Sequence, residues 1–99
     1  MYTRAIENLN VLLEMDRSNI EAWTYAFNSE TDHDSKTEFR NNLYESYFDY
    51  YTNLLTFHRV FNEYENRDDI DFDEGNFLRT VKTIASILNN FDDLFKIKF

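Results

Sequence analysis

The sequence predicts an all-α domain of four helices, with the third and longest at its centre. Three observations carry this. Residues 36–64, KTEFRNNLYESYFDYYTNLLTFHRVFNEY, place Phe39, Leu43, Tyr47, Tyr50, Leu54, Phe57 and Phe61 at steps of three and four, the period of one helical face and not of a strand. The chain has 99 residues, no proline and one glycine, Gly75, so polar loops are almost its only punctuation. Ser18 with Glu21, and Ser35 with Glu38, have the capping-box form, in which a hydroxyl and a carboxylate satisfy the first free backbone N–H groups of a helix.

Taken in order, the first helix is expected over residues 3–16, with Ala5, Ile6, Leu9, Leu12 and Leu13 on one face. Arg17, Ser18 and Asn19 interrupt the pattern, and the first capping box opens a second helix that turns Ile20, Trp23 and Phe27 inward. That helix fades over residues 28–35, and the second capping box opens the long helix, about 36–65. Tyr44, Phe48, Tyr51 and Leu55 form a second stripe about 80–100° around it, with Glu45, Asp49, Thr52, Thr56 and Glu63 opposite. Two stripes predict two sets of neighbours. A helix of about 43 Å also overhangs a compact globule of this chain length, about 32 Å across. The molecule is then elongated, or the helix is broken, or a second subunit covers the excess. The apolar arc leaves room for a homodimer contact.

Residues 66–76 read NRDDIDFDEGN, an acidic connection in which the stretch from Asp71 to Glu74 is placed to cap the last helix. That helix is expected over about 74–90, with Phe77, Leu78, Val81, Ile84, Ala85, Leu88 and Phe91 recurring every three to four residues. The tail ends FKIKF, an alternation that fits a short extended segment or a frayed helix.

Composition narrows the function. The length suits one domain, residues 1–99. Absence of cysteine excludes disulfides, thiolate metal sites and a thiol nucleophile. No basic-then-apolar leader and no run of the ~18 apolar residues a membrane span needs are present, so the expected location is cytoplasmic. The formal charge is −9, from 19 acids against 10 bases. That argues against direct binding to nucleic acid or an anionic membrane and favours a basic protein partner. Aromatic residues at 18% of the chain, in periodic positions, argue against disorder.

Residues 5–23, AIENLNVLLEMDRSNIEAW, resemble the junction between two tetratricopeptide repeats. Ala5, Ile6, Glu7, Leu13, Glu14, Asp16, Asn19, Glu21, Ala22 and Trp23 match that pattern, while Arg17 stands at the position of the turn proline. Phe27 stands where the family has a glycine, and three stacked repeats would not fit in this chain. The resemblance implies a peptide- or protein-binding scaffold without enzymatic activity.

The candidate partner-binding residues are Glu63, Glu65, Asp68, Asp69, Asp71, Asp73 and Glu74, seven acids within twelve residues, together with Tyr64. An EF-hand calcium loop fails in register: Asp69, Asp71 and Asp73 alternate correctly, but Gly75 falls at position 7 and Thr80 at position 12. His33, between Asp32 and Asp34, reads as a surface residue, and His58 as a partly buried core histidine. The aromatic stripes are expected to be mostly core, with some of Tyr44, Tyr47, Tyr50, Tyr51 and Tyr64 at its edge, where their hydroxyls reach water or a partner. No Ser–His–acid spacing and no phosphate-binding glycine loop is present. The expectation is a non-enzymatic protein with no cofactor and no metal. It would act as an inhibitor by occupying the basic groove of a nucleic-acid-binding protein. In size and charge it is similar to phage-encoded anti-CRISPR and anti-restriction DNA mimics. The alternative is a helical scaffold or adaptor that binds a peptide, or itself, through its aromatic face.

Overall fold

The computed structural model of the chain describes residues 2–64 and 72–97. They form α1 (Tyr2–Ser29), α2 (His33–Glu63), α3 (Glu74–Asn89) and the single turn α4 (Phe91–Leu94). The fold is all-α, and no strand occurs among the described residues. The long helix is central: α1 and α3 both pack on α2. Both run antiparallel to it, since Phe27 and Phe95 meet beside Lys36 and Arg40 at one end, while Glu74 meets His58 at the other. The Cα trace extends 53 × 21 × 16 Å. Elongation is thus how the fold accommodates a helix of 31 residues.

The expected break at Arg17, Ser18 and Asn19 is absent, and the first two predicted helices are one. Without proline or glycine, three polar residues cost a helix only a few tenths of a kcal/mol each. Burial decides the matter. Ile6, Leu13, Ile20 and Phe27 recur every seven residues, joined by Leu9, Asp16 and Trp23, which is a heptad seam. Ile6, Leu13 and Phe27 are buried and Leu9 and Ile20 pack at the core's edge. A turn at residue 18 would throw Ile20 out of that register. On α2 the facing seam holds Leu43, Ser46, Tyr50, Asn53, Phe57 and Val60, of which Leu43, Ser46, Tyr50 and Phe57 are buried.

One rung of this seam is polar. Asn53 Nδ2 donates to Asp16 Oδ2 at 2.8 Å, and Asp16 is 8% exposed. Burial pushes the Asp16 carboxyl above its ordinary range, the bond from Asn53 opposes this, Asp49 adds to the rise and Arg17 offsets part of it. Beside it Arg17 Nη1 donates to the Tyr50 hydroxyl at 3.4 Å. A polar pair at a seam position fixes register, because slipping the helices would strand both groups.

The caps also differ from expectation. The N-cap of α2 is Asp32, whose carboxylate accepts from the Ser35 backbone N–H at 2.9 Å, so α2 starts three residues before the position that Ser35 and Glu38 suggest. That N–H bond holds the Asp32 carboxyl below its ordinary range. Asp73 caps α3 by accepting from the Asn76 N–H at 3.0 Å; Asp71 lies outside the described residues. The tail is α4 followed by irregular chain through residue 97, not a strand.

Aromatic clamps hold α3 and α4 on α2. At one end Phe57, Phe61, Phe72 and Phe77 form a cluster with ring centroids 4.4–6.3 Å apart. At the other, Phe91 and Phe95 meet Tyr47, and Phe91 meets Tyr44 edge-on at 5.0 Å. Arg40 locks this end: it pairs with Asp92, donates from Nε to the Phe95 carbonyl at 2.7 Å, and lies over the Phe91 ring.

Candidate partner-binding surfaces

Of the acids the sequence singles out, Glu65, Asp68, Asp69 and Asp71 lie outside the described residues. The remainder divide by role. Glu63 is exposed at the end of α2. Asp73 is committed to capping α3. Glu74 meets His58, Oε1 to Nε2 at 3.0 Å. Tyr64 terminates α2, its N–H donating to the Phe61 carbonyl, and its ring packs at the edge of the core. Three of these four thus have structural employment. His58 is half-buried as expected, stacked on Phe77 at 5.6 Å, and His33 is exposed, 3.5 Å from Asp34. No group of three metal-ligating side chains occurs among the described residues.

A row of acids on α1 was not legible as a unit in the sequence. Glu7, Glu14 and Glu21 are all exposed. Seven residues advance a helix by about 10.5 Å while turning it only about 20° short of two turns, so the three form one ridge. The exposed carboxylates of Glu7, Glu14, Glu21, Glu38, Glu45, Asp49 and Glu63 make no ion pair among the described residues. Their signal was the spacing of seven, which is visible only once α1 is known to be continuous.

The second stripe of α2 is the larger surprise. Two sets of neighbours were expected, yet α1 and α3 cover the inner stripe and leave much of the second one bare. Tyr44, Phe48 and Leu55 are 41%, 52% and 45% exposed, and only Tyr51 on that stripe packs at the core's edge. A hollow of about 250 Å³ lies there, lined by Tyr44, Glu45, Phe48 and Asp49. Tyr44 fits the expectation that some tyrosines lie at the edge, and Tyr50, on the inner stripe, is buried. Burial also raises the Tyr47 phenol above its ordinary range.

Between α1 and α3 a cleft of about 220 Å³ reaches the core. Leu13, Tyr50, Leu54, Phe57, Phe72 and Phe77 are apolar walls, and Asn10, Arg17, Asn76 and Thr80 form a polar rim. It holds no pairing of nucleophile and base, and it is smaller than most small-molecule sites. Compared with known proteins, the chain matches no family model, no curated protein and no solved structure. The functional reading therefore rests on these surfaces.

Proposed function

We propose that this chain is a small, acidic, non-enzymatic protein-binding protein, an inhibitor that occupies a basic nucleic-acid-binding surface of its target. The observation that carries this reading is the set of exposed carboxylates on α1 and α2 with no cationic partner among the described residues. A chain of charge −9 gains nothing in stability from such uncompensated acids, which repel one another. Their use is in steering a positively charged partner into contact and fixing its orientation. The sequence adds Glu65, Asp68, Asp69 and Asp71 to this negative charge. The narrow, rod-like shape suits a groove built for a polyanion. No described helix is long and apolar enough to cross a membrane, and the proposed site of action is the cytoplasm, that of the host if the protein is phage-borne.

The scaffold reading is favoured by one observation, the exposed Tyr44, Phe48 and Leu55. The two readings separate on capture of a partner from source-cell extract at about 50 and 200 mM salt. Glu7, Glu14 and Glu21 changed together to Gln, or Asp68, Asp69, Asp71 and Asp73 changed to Asn, are expected to weaken capture at least tenfold while leaving the helical spectrum intact. Equal capture by all three proteins at both salts would overturn the charge-based reading.

A further inference from the structure

The outward face of α2 has a symmetry that neither its packing nor its charge explains. In order it presents Asn41, Glu45, Phe48, Thr52, Leu55, Arg59 and Asn62, at steps of four, three, four, three, four and three. All seven are exposed. The steps average 3.5, the repeat of a coiled-coil seam, although α1 and α3 are on the other side. Reversed end for end, the row matches itself in chemistry: amide with amide, Phe48 with Leu55, and Glu45 with Arg59, seven residues either side of Thr52. Neither Glu45 nor Arg59 has an ion-pair or hydrogen-bond partner among the described residues.

We infer that this face is the interface of a two-fold homodimer in which α2 pairs antiparallel with its copy across Thr52. Such an isologous contact requires a surface complementary to itself, and this row meets the requirement in residue type and charge together. Phe48 packs against the partner's Leu55 and Leu55 against the partner's Phe48. Glu45 faces the partner's Arg59, and Tyr44 offers its ring to the same guanidinium. Thr52 at the crossing is small enough for two helices to approach within the ordinary 8–10 Å. A basic helix from another protein would match Glu45 but would meet Arg59 as a like charge, which is why a second copy is the better occupant. The pair takes Glu45 out of the set of unpaired carboxylates but leaves the acidic ridge of Glu7, Glu14 and Glu21 on α1 exposed.

The chain has no cysteine, so one introduced thiol reports geometry directly. In the pair, the two copies of residue 52 face each other with Cα atoms about 3.4–5.4 Å apart, the helix separation less two Cα radii of about 2.3 Å, a span that reaches into the disulfide range of about 4.4–6.8 Å. The two copies of residue 41 are separated by about 33 Å. Under mild oxidation the full chain carrying Thr52→Cys is expected to become a covalent dimer almost completely, and Asn41→Cys to stay uncrosslinked. Sedimentation of the unmodified chain is expected to show a dimer that Phe48→Asp converts to monomer. Glu45→Arg and Arg59→Glu each break the dimer, and the double swap restores it. A monomeric wild type, a dimer that survives Phe48→Asp, failure of Thr52→Cys to crosslink, or failure of the double swap to restore would each overturn the inference.

Discussion

Phe57→Ala is expected to remove about 3–5 kcal/mol of stability, the range for truncating a buried phenylalanine. Phe57 is 4% exposed and sits at the hub of its cluster, with Phe61, Phe72 and Phe77 around it at 5.5–6.3 Å. Removing it leaves a cavity and releases the start of α3 from α2 at once. Single domains have about 5–15 kcal/mol in total, so the variant approaches the limit of folding, with a midpoint in urea well below that of the wild type. Phe48→Ala on the outer stripe of the same helix is expected to change stability by no more than about 0.5 kcal/mol, as exposed substitutions do, when compared at concentrations where the chain is monomeric. Urea unfolding of the two variants side by side checks the assignment of inner and outer stripes.

The second large effect is at the polar rung. Asp16→Ala strands the half-buried Asn53 amide and is expected to cost about 1–3 kcal/mol. Asp16→Asn keeps an acceptor for Asn53 and deletes a carboxylate that burial disfavours, so it is expected to raise the melting temperature at pH 7. The sign follows from linkage. The folded carboxyl has the higher pKa, so the folded state binds more protons, and ionisation of Asp16 lowers stability as pH rises through the folded value. The advantage of Asp16→Asn is therefore full at neutral pH and fades as pH falls through the raised pKa towards the ordinary 3.8. Melting curves of both proteins from neutral to acid pH check this. An unchanged gap across that range would show that Asp16 carries no desolvation cost.

Much of the fold was legible because apolar spacing survives in any helix long enough to repeat it. Leu43, Tyr50, Leu54, Phe57 and Phe61 mark α2, and Phe77, Val81 and Ile84 mark α3, by period alone. The continuity of α1 was hidden because Arg17, Ser18 and Asn19 look like a turn in one dimension. On a helix they project in three directions and leave Leu13 and Ile20 in line. Ser18 and Glu21 have the chemistry of a cap, yet nothing there forces the chain to leave the helix. Asp16 was invisible as a seam residue because its partner, Asn53, is 37 positions away.

The candidate surfaces were less legible for a different reason. Sequence shows that Tyr44, Phe48 and Leu55 share a stripe, but not which stripe the neighbours leave uncovered. That is decided by Arg40, Asp92 and the aromatic clamps, which draw α3 and α4 to one side of α2. The acidic segment stands out through density of charge, whereas Asp73 and Glu74 are held by local structure. The freer carboxylates lie on helix faces, spaced too widely to register as a run.

If the acids occupy a surface that nucleic acid also uses, the two must compete for it. The captured complex is titrated with duplex DNA and with RNA at fixed ionic strength. One of them is expected to displace the protein fully, in proportion to its own affinity for the target, and to displace the Glu7, Glu14 and Glu21→Gln variant at lower concentrations. A ternary complex, in which target, nucleic acid and this protein remain bound together, would contradict the proposed mode of inhibition.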